Sequence, residues 1–426
     1  MKTKLVVTLS ALCLGLLLMP DASNAMPNFA RKYDKGCNMC HTQIPQLNKT
    51  GYEFRLAGYR LPDEIGQKEP EFKLGDFFAA RLQNTYTYNV HKDVNPTKDS
   101  TTSQLQFKEV TLYPLTGSFG EYFGGITELS MFPDDVFEIE NAYVRGVYGD
   151  ENGWFQARLG IMHPWEGWGA SDRPIGISRP LFQKQRATNS PFFLWNVDEE
   201  ALEIGYYFAK MGTNISARLG NGILWKENGS GVAEPAQGGN LVKPAAFGGV
   251  DQKSYELVLN QIIGKESGFT VYYYTTAIPG DTTTTGNPYD STGAVVGGPY
   301  TIIKLDRLAL YANYYVLPKK LDLLVGYGSG KDTPDAVLSV VKSNGYYGEV
   351  DYFAVENLLA VGARYDNFDP STSVDHNKVN AISVFANWTP VKGLQLIGEY
   401  QQAEKEQVAG GKNTDSAFQL LAIFIF

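Results

Sequence analysis

Regular alternation of apolar and polar residues is the feature that most restricts how this chain can fold. In "ALEIGYYFAKMGTNISARLGNG", residues 202–209 alternate, 210–213 have the composition of a turn, and 214–219 alternate again. "RLQNTYTYNV" follows the same rule, with Arg81, Gln83 and Thr85 on one face. Successive side chains of a β-strand point to opposite faces, so one face of each such strand lies in an apolar environment. The pattern predicts an all-β structure from about residue 76 onward.

The length and spacing of these segments distinguish a membrane barrel from a soluble β-sandwich, which is the alternative. The sixteen predicted strands are 76–90, 103–115, 121–131, 136–148, 153–162, 200–210, 213–222, 252–262, 267–277, 300–316, 320–329, 344–354, 358–368, 377–388, 393–404 and 414–426. Most exceed the usual five or six residues and suit tilted membrane strands of about 10 residues. Short and long connections alternate, as they do in outer-membrane barrels, which have an even number of strands.

The C-terminal stretch "SAFQLLAIFIF" supports this fold class. Phe418, Leu420, Ala422, Phe424 and Phe426 share one face, and the stretch resembles the final-strand signal of bacterial outer-membrane proteins. Only 19% of residues are charged while 13% are aromatic, which suits half-exposed strands with aromatic belts. We therefore expect residues 76–426 to form a transmembrane antiparallel β-barrel of about 16 strands. Both termini are expected on the periplasmic side of a bacterial outer membrane.

The first 25 residues have the composition of a secretory signal peptide. Lys2 and Lys4 precede an apolar core at 5–19, and small residues at 23–25 fit a cleavage site. The apolar core is too short to span a bilayer as a helix, which takes about 20 residues. Cys13 is expected to be removed with this segment, since the residues before it match a lipoprotein signal poorly.

The motif "GCNMCHT" contains the only two cysteines outside the signal segment. Cys37, Cys40 and His41 give the Cys-x-x-Cys-His spacing of c-type haem attachment. In such sites two thiols are joined to the haem and the following histidine is an axial iron ligand. A redox or structural disulfide and half of a zinc site are the alternatives. With an export signal in front, the motif predicts one haem c held covalently by Cys37 and Cys40, with His41 as an iron ligand.

The residues after the motif predict a small α-helical unit over 26–75. Pro45 suits the first turn of a helix and Gly58 its end. Leu47, Gly51 and Phe54 would then share one face that packs on the haem. Because about 50 residues is small for an independent domain, we expect this unit to be a plug covered by the barrel.

The second iron ligand is left unknown by the sequence. Met26, Met39, His91 and Met162 are the candidates weighed, and five-coordinate iron is a further alternative. Met39 lies between the two cysteines and is not expected to reach over the haem. His91 and Met162 share the strand parity of the polar residues that would face the barrel lumen.

Two further charged stretches are candidate sites. The predicted loop 163–199 carries Arg173, Arg179, Lys184 and Arg186, which would favour anions or contact haem propionates if the loop folds into the lumen. A solvated outer loop is the alternative. "FPDDVFEIEN" places Asp134, Asp135, Glu138 and Glu140 at a predicted outer loop, where carboxylates could bind Fe²⁺. Ordinary surface charge is the preferred interpretation of that second stretch.

The charge distribution suggests how the two parts of the chain meet. Residues 26–61 carry six basic and two acidic side chains, although the whole chain has a net charge of −9. A basic segment in front of an acidic body is expected to dock on it. Nucleic acid is not an expected partner for an exported acidic protein.

The residues of the N-terminal unit resemble those of a known family. "MPNFARKYDKGCNMCHTQIPQLNKTGYEFRLAGYRL" followed by a barrel resembles the fused outer-membrane cytochrome c–porin family, whose members are proposed iron(II) oxidases of iron-oxidising bacteria. Over the barrel the resemblance is architectural only. It implies that Cys37 and Cys40 hold the haem and that His41 ligates it.

The expected function is an outer-membrane electron conduit. Electrons from extracellular Fe(II) would pass through the haem to periplasmic c-type cytochromes, with outer-membrane lipid around the barrel. Whether this amounts to an enzyme is left open. The alternatives are outward electron transfer to an extracellular acceptor, and a solute porin with a structural or sensory haem plug.

Overall fold

The computed structural model describes residues 27–68, 73–132, 137–162, 167–168, 174–185, 187, 199–221, 225–227, 233–235, 253–280, 301–334 and 339–426. The α-helices are α1 (Pro27–Tyr33), α2 (Lys49–Leu56) and α3 (Leu181–Lys184). Short 3₁₀ helices are formed by Cys37–Met39, Pro62–Glu64, Leu74–Asp76 and Pro96–Lys98. None of the described helices is long and apolar enough to cross a membrane. The predicted signal peptide and Met26 lie outside the described residues.

The strands account for most of the described chain. In chain order they are β1 (His41–Gln43), β2 (Gln46–Leu47), β3 (Ala79–Lys92), β4 (Ser100–Tyr113), β5 (Gly117–Phe119), β6 (Phe123–Met131), β7 (Phe137–Asp150), β8 (Gly153–Met162), β9 (Glu199–Phe208), β10 (Thr213–Gly220), β11 (Trp225–Glu227), β12 (Ala233–Pro235), β13 (Ser254–Ile263), β14 (Ser267–Gly280), β15 (Thr301–Leu317), β16 (Leu321–Pro334), β17 (Val341–Val355), β18 (Leu359–Asp369), β19 (Val379–Val391), β20 (Leu394–Glu406) and β21 (Lys412–Ile425). Strands β1 and β2 form a small hairpin, and β11 pairs only with β12.

The remaining strands close into a 16-strand antiparallel barrel. Strand β5 continues β4 after a break, because both pair with β6. The barrel closes where β21 pairs with β3, from Thr414 opposite Lys92 to Ile425 opposite Arg81. All sixteen predicted strands are present, with ends displaced by a few residues. Closure leaves no exposed sheet edge, which is a requirement for strands that span a bilayer.

The alternation of side chains has the predicted orientation. Arg81 and Gln83 are buried toward the lumen, whereas Tyr88 on the other parity is 42% exposed. The predicted C-terminal face is the outward one, with Phe418, Leu420 and Phe424 exposed. Buried ion pairs line the lumen, such as Arg158 with Glu203. The barrel wall is therefore apolar outside and polar inside, as in a transmembrane barrel.

The two ends of the barrel differ, as the alternating connections predict. At one end the strands are joined by short turns, for example at 151–152, 264–266 and 318–320. The N-terminal segment, residues 27–68, lies at this short-turn end. The longer connections lie at the other end, which includes the start of β15 and the end of β16.

The helix after the motif begins later than predicted. Pro45 lies in the β1–β2 hairpin, where the Ile44–Pro45 peptide bond is cis, and Leu47 belongs to β2. The helix starts after Asn48, whose side chain caps it by accepting a hydrogen bond from Gly51 N. The predicted shared helical face of Leu47, Gly51 and Phe54 is therefore wrong for Leu47. The predicted end is confirmed, because Gly58 has a φ of +74° directly after the helix.

Candidate functional site

A 3₁₀ turn places the two cysteines of the motif on one side. Cys37–Met39 form this turn, and Cys40 N donates to the carbonyl of Cys37 over 3.1 Å. In a 3₁₀ helix, side chains three residues apart are eclipsed, so the side chains of Cys37 and Cys40 leave the turn in similar directions. The two cysteines are half-buried and are not joined by a disulfide. This is the relative placement that attachment of both thiols to one planar group requires.

Asn48 connects the motif to helix α2. Its backbone N donates to the carbonyl of Cys40 over 3.0 Å, and its side-chain amide donates to the carbonyls of Met39 and Asn38. Its side-chain oxygen caps α2 through Gly51. Asn48 therefore holds the motif and the helix in one arrangement. An N-cap residue before a helix is a recognisable sequence signal, although the predicted helix start at Pro45 concealed it.

Gly51 is where the helix and the motif come closest. A Cβ atom at this position would lie 2.2 Å from the carbonyl oxygen of Cys40. The sequence predicted that Gly51 permits close approach of a haem to the helix. In the structure, its close contact is with the motif backbone, which only glycine allows.

His41 directly follows the second cysteine and begins strand β1. Its Nδ1 is buried without a hydrogen-bond partner. Burial lowers the pKa of His41 to about 4, against the opposing effect of the backbone of Pro45 and Gln46. The imidazole is therefore neutral near pH 7, and a neutral imidazole is the form that binds a metal.

Burial of Cys40 affects the protonation of its thiol. Burial, and then the neighbouring Cys37, raise the pKa of Cys40 to about 12, so Cys40 is a neutral thiol. Among the described residues, no three His, Cys, Asp or Glu side chains are grouped to hold a metal ion. The orphaned His41 nitrogen and the paired thiols are the features that a covalent haem would use.

The hairpin after His41 is fixed to the barrel wall at several points. Gln43 donates to Asn387, and Gln46 donates to Asp322 over 3.0 Å. The carbonyl of Ile44 accepts from Asn387 and Gln395. These wall residues lie more than 270 positions from the hairpin, and no sequence signal marked them.

The basic residues of the N-terminal segment also contact the barrel, as their charge predicts. Arg60 is 1% exposed and donates to the carbonyls of Gly120, Glu121 and Phe123. Arg31 donates to the carbonyls of Gly75 and Phe78, and Lys32 donates to Ser118. These bonds are received by backbone carbonyls and a hydroxyl rather than by carboxylates.

Two of the candidates for a second iron ligand, His91 and Met162, lie on barrel strands, whereas Met39 lies within the motif turn. His91 and Met162 have the predicted lumen parity, but both lie at the long-loop ends of their strands. His91 Nδ1 is 2.5 Å from Asp415 Oδ1. Met162 is fully buried in an apolar cluster that includes Phe54 and Tyr59. His41 lies beside the β17–β18 turn. Strand β8, which carries Met162, is nearly on the opposite side of the barrel from that turn.

The long connection after β8 enters the lumen where the structure describes it. Trp168 N donates to Asn260, and its indole Nε1 donates to Asn313, both over 3.0 Å. Further along, Arg364 donates to the carbonyl of Ser178, and Leu181 N donates to Asp366. The prediction of a loop folded into the lumen is confirmed for these residues, and the alternative prediction of a solvated outer loop is wrong for them.

This inward loop rests on the N-terminal segment. The rings of Tyr52 and Trp168 meet edge to face with centroids 5.6 Å apart. The side-chain amide of Asn387 donates to the carbonyls of both Ile44 and Ile175 over 3.0 Å. The segment and the loop thus form two contacting layers across the lumen.

The structure describes only some of the charged residues that the sequence suggested as sites. Arg173, Arg186, Asp134 and Asp135 lie outside the described residues. Partial desolvation in the lumen, and then the charges of Arg179 and Lys108, lower the pKa of Lys184 to about 8. Those three basic residues therefore lie near one another. Glu138 and Glu140 belong to strand β7 rather than to an outer loop, and Glu138 is buried on the barrel wall.

Solved structures share the architecture of this chain. OmpT of Vibrio cholerae, expressed in the outer membrane, matches with a TM-score of 0.52 at 9% identity, over 82% of this chain and 97% of that one. OprB of Pseudomonas putida matches with a TM-score of 0.51 at 10% identity, over 82% and 94%. OmpF of Salmonella typhi, solved with daunomycin, matches with a TM-score of 0.50 at 11% identity, over 82% and 97%.

The barrel has the porin fold. At these identities the likeness establishes the fold alone. No protein-family model matches the chain, and no curated protein matches its sequence.

Proposed function

We propose that this protein is an outer-membrane electron conduit, in which one haem c is held in a porin-like barrel. Electrons would be accepted from extracellular Fe(II) and passed to periplasmic c-type cytochromes. The proposal includes the orientation of the barrel, with the short-turn end and both termini on the periplasmic side. Membership of the fused cytochrome c–porin family is part of the same proposal.

The placement of Cys37, Cys40 and His41 in a segment fixed across the short-turn end supports this function most directly. Cys37 and Cys40 would hold the haem through thioether bonds, and His41 would be an axial ligand to its iron. When bound, the haem supplies one-electron redox chemistry. Asn48 and Gly51 orient the motif, and the hairpin at 41–47 fixes it to the barrel wall.

The barrel residues give that segment a route to the outer surface. A barrel replaces about 30 Å of hydrocarbon with a polar lumen. The inward loop covers the side of the segment that faces the lumen, with Trp168 against Tyr52 and Ile175 beside Ile44. An insoluble or toxic donor could thus be oxidised without entering the periplasm.

The first test is whether haem is attached and whether Fe²⁺ reduces it. The full-length protein, expressed with c-type cytochrome maturation, would be purified in detergent and stained for haem on a denaturing gel. We expect a stained band in the wild type and in Met39→Leu, and none in Cys37→Ala/Cys40→Ala. Mixing with Fe²⁺ should then reduce the haem of the wild type, which is seen as a change in the haem absorption bands. Absence of covalent haem from the matured wild type would refute the proposal.

A solute porin with a haem plug is the second candidate, and the inward loop favours it. Porin-fold neighbours and a loop folded into the lumen are also compatible with passage of small solutes. Single-channel recording in a planar bilayer separates the two functions. An electron conduit closed by the segment should show little ion conductance, whereas a porin should conduct. A haem that Fe²⁺ cannot reduce, but that ferric compounds reoxidise, would instead favour outward electron transfer.

A further inference from the structure

A groove of about 300 Å³ lies on the outside of the barrel, at the long-loop end of β14–β17. Its lining includes Tyr273, Asp306, Leu308, Tyr327, Lys331 and Lys342. Leu308 and Tyr327 are exposed, and the neighbouring residues of opposite parity, such as Arg307, are buried toward the lumen. The groove therefore opens toward the membrane and not toward the channel.

Two lysines in this groove are directly opposite each other. Lys331 on β16 pairs with Lys342 on β17 in the strand register, and both side chains are exposed. Neither ammonium group makes an ion pair with another residue in the described chain. Like charges directly across a strand pair destabilise a sheet unless something neutralises them. An anion bound between the two lysines would remove that cost.

Among the described residues that line the groove, Asp306 carries the one carboxylate, and it lies opposite Lys331 in the strand register. Asp306 accepts hydrogen bonds from Tyr273 and Thr275 over 3.0 and 2.9 Å. It also lies 3.4 Å from the ammonium group of Lys304. Asp306 thus contacts Lys304, whereas no ion pair joins it to Lys331 or Lys342. Three lysines and one carboxylate leave an excess of two positive charges among the described residues of this outward face.

The outward face changes character from the loop end toward the middle of the barrel. The first tier contains Lys331, Lys342 and Asp306. The next outward tier contains Leu308, Ser329 and Asn344. The one after it contains Leu310, Tyr327 and Tyr346, and Val325 follows. Lysines followed by tyrosine and aliphatic side chains are expected from the headgroup level to the hydrocarbon level of a bilayer. An occupant that spans these tiers needs an anionic head and an apolar tail.

We propose that this groove binds a phosphorylated lipid headgroup of the outer leaflet, with its phosphate between Lys331 and Lys342 and its acyl chains against Leu308 and Leu310. The proposal rests on the orientation given above, in which the long-loop end is at the outer surface. It does not depend on the haem, because the groove is on the outside of the wall. Basic residues at the membrane surface contribute about 1 kcal/mol each to binding anionic lipid.

The test measures binding of bis-phosphorylated lipid A to the detergent-purified protein, by native mass spectrometry and by thermal shift. Lys331→Gln/Lys342→Gln should weaken binding roughly 30-fold, since two such contacts are lost. Lys412→Gln is the matched control, because Lys412 lies at the same end of the barrel and is already paired with Glu404 over 3.1 Å. It should bind as the wild type does.

Three results would overturn the proposal. The first is a double variant that binds lipid A as tightly as the wild type. The second is equal binding of dephosphorylated lipid A, which would mean that the acyl chains alone are recognised. The third is equal competition by inorganic phosphate or by phosphatidylglycerol, which would mean a free-anion site or an unselective one. Haem content, measured in the same samples, should be unchanged by both substitutions, so failure of this inference is separable from failure of the electron-transfer proposal.

Discussion

The carbonyl oxygen of Cys40 and the Cα of Gly51 are so close that a Cβ on Gly51 would lie 2.2 Å from that oxygen. The same carbonyl accepts a hydrogen bond from Asn48 N over 3.0 Å. The motif turn and the first turn of helix α2 are therefore held together by backbone contacts. A short glycine-dependent contact of this kind determines where the two cysteines and His41 can point.

Gly51→Ala should reduce the fraction of protein that carries covalent haem. The added methyl group must displace the Cys40 carbonyl, and overpacking of this type costs about 1–3 kcal/mol. Haem content per chain, from the haem-stained band relative to total protein, measures the effect. Gly75→Ala is the control, since its Cβ would meet nothing within 4 Å. Equal haem content in both variants would contradict the role assigned to Gly51.

Arg60→Met should loosen the N-terminal segment from the barrel. The substitution leaves the carbonyls of Gly120, Glu121 and Phe123 without their donor, at a cost of about 2–4 kcal/mol. We expect faster proteolysis of residues 27–68 and a rise in single-channel conductance. Lys35→Met, at an exposed position of the same segment, should change neither. A tightly closed and protease-resistant Arg60→Met protein would show that other contacts retain the segment.

Asp351→Asn should stabilise the barrel. Asp351 is 1% exposed, and neither of its carboxylate oxygens has a hydrogen-bond partner in the described structure. Its neighbours include the carboxylates of Glu349 and Asp322. Because a buried carboxyl group without a hydrogen-bond partner beside two further acidic groups is unfavourable, its replacement by an amide should raise the free energy of unfolding by about 1 kcal/mol.

Asp366→Asn is the matched comparison for that variant. Asp366 is also buried, but it accepts hydrogen bonds from Arg364 over 2.7 Å and from Leu181 N over 3.1 Å. Breaking this pair should destabilise the barrel by about 3 kcal/mol. Urea unfolding in detergent, followed by the heat-modifiable gel shift, would rank the two variants. The same sign of change in both would contradict the distinction between them.

Lys184 should react with an amine-acylating reagent at an unusually low pH. Its pKa is lowered to about 8, so half-maximal reactivity is expected near pH 8. Because Arg179 contributes to this lowering, Arg179→Gln should move the midpoint upward. Peptide mapping after acylation across a pH series measures both midpoints. An Arg179→Gln midpoint equal to that of the wild type would exclude the repulsion between these two residues.

The same shift has a consequence for stability. The folded pKa of Lys184 lies below the ordinary lysine value of 10.5, so the unfolded chain binds more protons between pH 8 and 10.5. Stability should therefore rise with pH across that window through this residue. Lys184→Gln should remove that part of the pH dependence, as measured by urea unfolding at pH 7.5 and 10.

The sequence by itself determined the strands and the motif. Alternation along residues such as 81–90 and 202–208 identifies an outward apolar face without reference to any partner strand, because the strand period is a local property. Cys37, Cys40 and His41 are adjacent in the chain, so their shared placement is also local. Local turn chemistry likewise separates the short connections from the long ones.

Tertiary structure alone decided what those elements contact. Gln43 bonds Asn387 across 344 positions of sequence, and Asn387 also binds the inward loop at Ile175. Neither contact has a periodicity or a spacing that could announce it. The helix begins after Asn48 and not at Pro45, as predicted, because the hairpin at 41–47 is fixed to the barrel wall. Closing a barrel brings distant residues to one ring of turns, and the contacts of the N-terminal segment with the wall are products of that closure.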